Sequence, residues 1–255
     1  MARASRLYLF KLSHYCEKAA WACDHKQLDY DEVVLLPGLH LLGARRRAAH
    51  SHVPILMHEG RTIQDSSAII DHLDAVLPSA SLTPSAPDER ERALAWEREL
   101  DRELGEAARR VFYWYALEHP RFLRAEFCRD APAWAPWFYA LALPVVIRGV
   151  RQMYSVSAAA VERDRERLRA LFARLDRELG ERRYLVGDRF SRADLTLAAL
   201  SAPMLRPAGH PLRWSDDSAY PPGWIEAMRP FCDSLTAERV RELYRTQRGA
   251  RVTTR

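Results

Sequence analysis

The sequence predicts an α+β protein: a small unit with a mixed four-stranded sheet and its helices, followed by a larger all-α helical bundle. Three observations point that way. Strand-like alternation stops before Asp65, a Pro/Ser/Ala run from Pro78 to Pro87 has no periodicity, and every later segment carries helical spacing. Sheet first and helices afterwards differs from the alternating βαβ order of a doubly wound sheet, and no Gly-rich phosphate loop is present.

In chain order, Arg6 to Leu12 alternates as a short strand. Ser13 then opens a helix to about Lys26, with Ala19, Ala20, Ala22 and Cys23 on its inner side. LDYDEVVLL, from Leu28, reads as a second strand, closed by Pro37 and Gly38 and followed by an irregular, Arg-rich connection. VPILMHEGRTIQ is a pair of strands turning at Glu59 and Gly60, and Asp65 and Ser66 stand where a helix over Ser67 to Val76 begins. Residues 1–78 form the first domain, 79–87 a linker and 88–255 the helical domain, with helices expected over 88–118, 120–155 in broken pieces, 158–180, 191–202 and 222–246.

With 255 residues, 48% of them apolar, the chain can bury substantial cores. Its longest apolar stretch, 131–150, is broken by Pro132, Pro136, Pro144 and Arg148, short of the ~20 apolar residues of a membrane span. No secretion signal precedes the first strand, and Cys16, Cys23, Cys128 and Cys232 are irregularly spaced. Reduced thiols in the cytoplasm and no metal are therefore expected. The net charge of +5 lies entirely after residue 87, where Arg and Glu interleave as on solvated helix faces, so nucleic acid is not an expected partner.

Four motifs carry a resemblance. Ser13-His14-Tyr15-Cys16 joins the first strand to the first helix, Val53-Pro54 opens the third strand, and Gln64-Asp65-Ser66-Ser67-Ala68-Ile69 opens the next helix. Tyr184-Leu185-Val186-Gly187-Asp188 with Ser191-Arg192-Ala193-Asp194 lies in the helical part, with the spacing of a capping box. In this order they resemble the cytosolic glutathione transferase superfamily, most closely its theta-like bacterial type. The resemblance implies a thioredoxin-like first domain, a cis-proline at Pro54, glutathione as co-substrate, a homodimer, and a detoxifying transfer of glutathione to a small hydrophobic electrophile. The chain departs from the family pattern in a Trp/Pro-rich segment, Trp134 to Met153, a Pro-rich stretch, Pro203 to Pro222, and His14 where a proline is frequent.

An enzyme using glutathione must stabilise its thiolate, since a thiol of pKa near 8.5 is only slightly ionised at neutral pH. Ser13, at a helix N-terminus, can donate to the sulfur. Lowering the thiol pKa by about two units takes only ~2.7 kcal/mol. A simple helix cap is the structural alternative for Ser13, Tyr8 is a weaker candidate, and Cys16 is the alternative nucleophile of a thiol transferase or dehydroascorbate-type reductase. For the tripeptide, Asp65 matches the ammonium, Ser66 and the helix start the γ-glutamyl carboxylate, Val53 and Pro54 the backbone contacts, and His40 or His52 the glycyl carboxylate. Arg109, Phe112 and Tyr113, with Trp114 and Tyr115, are candidates to line the second-substrate site. Trp134, Trp137, Phe138 and Tyr139 are candidates to roof it, to form a dimer contact or to touch a membrane surface. A binding protein without turnover remains a further reading of the same fold.

Overall fold

The computed structural model describes residues 5–129 and 131–249. The first four residues, on which the expected lack of a leader partly rests, and the last six, at the end of the expected helical domain, lie outside the described residues. The first unit runs β1 (Ser5–Leu9), α1 (His14–His25), β2 (Tyr30–Val34), α2 (His40–Arg45), β3 (Ile55–His58), β4 (Arg61–Gln64) and α3 (Ser66–Val76). The four strands form one mixed sheet in the order β2-β1-β3-β4. β2 is parallel to β1, with Tyr8 beside Val33, whereas β3 is antiparallel to it, with Leu7 beside Leu56. Leu7, Leu9, Ile55 and Leu56 give the sheet its apolar interior, and Ile69, Ile70 and Leu73 of α3 join the same core. Glu59 and Gly60, both at positive φ, make the two-residue turn between β3 and β4.

Two differences from expectation are local. β1 stops at Leu9, because Phe10 leaves the ladder and its carbonyl accepts from the Ser13 amide at 3.1 Å, turning the chain into α1. The connection after β2 contains the short helix α2, which buries Ala44. One small residue does not produce a readable period over six positions.

After an irregular stretch, the second unit is helical throughout: α4 (Pro87–Leu100), a π-helical segment (Asp101–Gly105), α5 (Glu106–Ala116), α6 (Pro120–Phe127), α7 (Ala135–Met153), α8 (Ala158–Leu179), α9 (Arg192–Leu205), α10 (Pro222–Cys232) and α11 (Leu235–Thr246). Caps mark several of these starts. Pro87 opens α4 with Asp88 and Glu89 in its first turn, Ser157 accepts from the Ala160 amide, and Ser234 accepts from the Ala237 amide. Ser191 and Asp194 form the reciprocal capping box of α9. Every residue of α9 except Pro203 is buried, so this helix is the axis on which α1, α4 and α11 pack. None of the described helices is long and apolar enough to cross a membrane.

Candidate functional site

The first turn of α1 is held from two sides. Ser13 is its N-cap, and its Oγ accepts from the Cys16 amide at 3.3 Å. His14 is buried, and its Nε2 lies 3.0 Å from the Gly105 carbonyl, to which it donates in the matching tautomer. Burial, reinforced by the charge of Arg109, lowers the His14 pKa to about 3, so the ring is neutral. The Tyr15 hydroxyl donates to the Asp101 carbonyl at 2.6 Å. Both carbonyls belong to the π-helical segment.

Across the cleft, the Val53–Pro54 peptide bond is cis, and the Pro54 carbonyl accepts from the Asp65 amide at 3.3 Å. Asp65 caps α3 from a φ of 91°, a conformation costly for a residue with a Cβ. Its Oδ1 takes the amides of Ser67 at 2.9 Å and Ala68 at 3.1 Å, and Ser66 beside it is buried. His52 stacks on His50, and His40 Nδ1 accepts from the Gly38 amide. Burial pushes both the His40 and the His52 pKa below the ordinary value.

These residues surround two adjoining hollows. The apolar one encloses about 890 Å³ of empty space, counting its open mouth. Ser13, His40, His52, Val53, Arg109, Phe112 and Tyr113 line it, with Phe10, Phe127, Tyr154, Trp214 and Tyr220 completing its aromatic walls. The polar one encloses about 880 Å³ on the same basis and is bordered by Pro54, Asp65, Ser66, Asp101 and Glu106. Tyr15, His52, Val53 and Arg109 border both. Ser13, His40, His52, Val53, Pro54, Asp65, Ser66, Arg109, Phe112 and Tyr113 thus converge on one cleft between the sheet unit and the helices.

Cys16 is buried, lines neither hollow, and burial drives its thiol pKa up to about 12 despite the opposing bond with Ser13. Tyr8 is buried too and lines neither hollow, with the Arg47 guanidinium over its ring at 4.6 Å. Trp114 and Tyr115, neighbours of Phe112 and Tyr113, face other packing; the Tyr115 ring lies against Gly223 and Trp224. The aromatic run of α7 does not roof the cavity. Trp137 is 79% exposed, Trp134 is exposed, and Tyr139 is buried with its hydroxyl donating to the Pro37 carbonyl at 2.7 Å. The roof comes instead from α6, through Phe127, and from the Pro-rich stretch, through Trp214 and Tyr220. That stretch stood out in the sequence as a departure from the family pattern, but its aromatic residues have no periodicity to reveal which way they face. Among the described residues, no group of three or more His, Cys, Asp or Glu side chains is arranged to hold a metal ion.

Comparison with known proteins agrees with this architecture. The N-terminal domain of glutathione S-transferases matches residues 7–80, and the C-terminal domain of the same family matches residues 158–226. No curated protein sequence matches. Among solved structures, the chain is similar to the beta-etherase LigF from Sphingobium sp. strain SYK-6, with a TM-score of 0.63 and 18% identity over 95% of this chain and 99% of that one. A glutathione S-transferase from Methylobacterium radiotolerans in complex with glutathione sulfonate gives 0.57 and 20% over 99% and 98%. A theta class glutathione S-transferase from Xanthomonas axonopodis pv. citri with glutathione bound gives 0.52 and 18% over 94% and 97%. Two family domains in sequence order, a thioredoxin-like sheet leading into an all-helical unit, and a cleft between them opening on a helix N-terminus make this chain a member of the glutathione S-transferase superfamily.

Proposed function

We propose that the protein is a glutathione transferase whose polar hollow takes the tripeptide and whose aromatic cavity takes a small apolar electrophile. The observation that carries the reading is the shared border: His52, Val53, Tyr15 and Arg109 edge both hollows, while Ser13 lines the apolar one. A tripeptide anchored at Asp65 and Ser66 brings its cysteine to the junction, where the α1 N-terminus favours an anion and the Ser13 hydroxyl has a hydrogen to donate. Asp65 Oδ2, outside the α3 cap, meets the ammonium group, Ser66 and the first amides of α3 receive the γ-glutamyl carboxylate, and His40 or His52 receives the glycyl carboxylate. The thiol releases its proton to solvent, the sulfur forms a bond to the electrophilic carbon, and in a displacement the leaving group departs with the electron pair of its broken bond.

The competing route through Cys16 fits less well. A thiol held near pKa 12 is not the thiolate that attacks a disulfide. The test is calorimetric titration with glutathione alongside the ultraviolet absorbance of the thiolate against pH. Wild type and Cys16→Ser should both bind and lower the thiol pKa, whereas Ser13→Ala should bind but leave the pKa higher by about one to two units. If neither wild type nor Ser13→Ala binds glutathione, the fold serves a binding role without this chemistry.

A further inference from the structure

Among the described residues, no carboxylate forms an ion pair with one positive charge on the wall of the aromatic cavity, Arg109. Arg109, on α5, lies with its guanidinium carbon 4.2 Å from the centroid of Tyr154 and 5.7 Å from that of Tyr15, in the range where a ring face attracts a cation. Its Nε is sealed from solvent without a hydrogen-bond partner. The adjacent Arg110 is fully committed, donating to the Tyr154 carbonyl at 2.8 Å and pairing with Asp164. The one carboxylate on the cavity wall, Glu126, is also taken, since it pairs with Arg129 and accepts from Ser215 at 3.3 Å. His14, close enough to feel the Arg109 charge, stays neutral. The cavity therefore combines aromatic walls with a half-buried guanidinium that no carboxylate among the described residues pairs.

Building on the transferase reading, we infer that the second substrate is an aromatic compound carrying an anionic oxygen group, such as a carboxylate, which Arg109 receives while the aromatic walls hold the ring. A guanidinium presents parallel N–H donors that match a carboxylate, and the charge-assisted bond is stronger inside a low-dielectric cavity than in water. A neutral ring of the same shape fills the cavity but leaves the donor unpaired. Arg109 is thus a specificity residue for the electrophile.

The probes are naphthalene-2-carboxylate and its uncharged counterpart naphthalene-2-carboxamide, titrated by calorimetry into wild type, Arg109→Met and Arg109→Lys, with glutathione titrated separately into each. Wild type should prefer the carboxylate by about tenfold or more, Arg109→Met should bind the two about equally, and Arg109→Lys should keep a smaller preference. Equal binding by wild type, or a preference that survives in Arg109→Met, overturns the inference. So does a loss of glutathione affinity of about tenfold in Arg109→Met, which would assign the guanidinium to the tripeptide. An Arg109-dependent preference in a wild type that does not bind glutathione would uphold the anionic site and sink the transferase reading. Should Arg109→Met fail to fold, wild type and Arg109→Lys decide the matter.

Discussion

His14 occupies a position where a charged ring would be expensive. It is only 6% exposed, its hydrogen bond to the Gly105 carbonyl is satisfied by the neutral tautomer, and Arg109 opposes a second positive charge. Because the folded-state pKa is depressed below the unfolded value of 6.5, the unfolded chain binds the extra proton first as pH falls. The contribution is complete above pH 6.5 and is lost on acidification towards the folded value, at up to about 1.4 kcal/mol per pH unit. Urea unfolding between pH 7 and pH 5 should show a steeper loss of stability for wild type than for His14→Gln, whose amide can still donate to Gly105. Parallel profiles would mean that the ring takes up its proton as readily in the fold as in the unfolded chain. At this scale the sequence was informative about Ser13, Asp65, Ser66 and Pro54, whose residue types match the chemistry of helix starts and a cis peptide. It was silent on His14, because a histidine beside a helix cap looks the same whether its ring meets water or a carbonyl 91 residues away.

The π-helical segment between α4 and α5 decides how the cleft is built. Its Asp101 and Gly105 carbonyls receive Tyr15 and His14 and so orient the turn that carries Ser13. Gly105 is required by close approach, since a Cβ there would stand 2.2 Å from the Tyr15 hydroxyl oxygen and 3.2 Å from Leu200. Gly105→Ala should therefore destabilise the protein by about 1–3 kcal/mol in urea unfolding, against the small gain a Gly-to-Ala change gives in an unobstructed helix. Unchanged or increased stability would mean that the two segments part easily. Long, strongly patterned elements were legible: α1, α8 and α9 begin within a residue of their capping Ser, and the β3–β4 turn falls at Glu59 and Gly60. The π segment was not, because DRELG has the composition of ordinary surface helix and its contacts with α1 join residues far apart in the chain. α7 shows the same limit, for its sequence leaves a roof, a dimer contact and a membrane surface equally open, and only the fold exposes Trp137 and Leu141.

The sheet unit and the helices are joined through buried charge as well as apolar packing. Lys18 of α1, fully buried, pairs with Glu97 at 3.0 Å and Asp101 at 2.8 Å on the far side of the junction, and it donates to Ser67 at 2.8 Å. Arg192, at the start of α9, pairs with the same Glu97 at 2.6 Å and with Asp71 of α3 at 2.6 Å. Near the end of the described chain, Arg248 pairs with Glu17 at 2.8 Å and Asp24 at 2.7 Å, fixing the segment after α11 against α1. Removing one member leaves its partners desolvated and unbalanced, so Arg192→Met should cost about 3–5 kcal/mol. Because the network spans both units, sheet and helices should still unfold together in wild type, and calorimetry of the variant is where two separate transitions would emerge. A variant within about 1 kcal/mol of wild type would show that apolar packing alone holds the junction. By itself the sequence determined the class and order of the elements, the caps, and the residues suited to a tripeptide, because these depend on local periodicity and on what a helix terminus demands of nearby side chains. Only the tertiary structure decided which charges are buried, that Cys16 faces away from the cleft, and that the cavity wall comes from α6 and the Pro-rich stretch with Arg109 upon it. Those outcomes depend on pairs of residues far apart in the chain, and no local pattern encodes which of two exposed-looking polar side chains will meet across an interface.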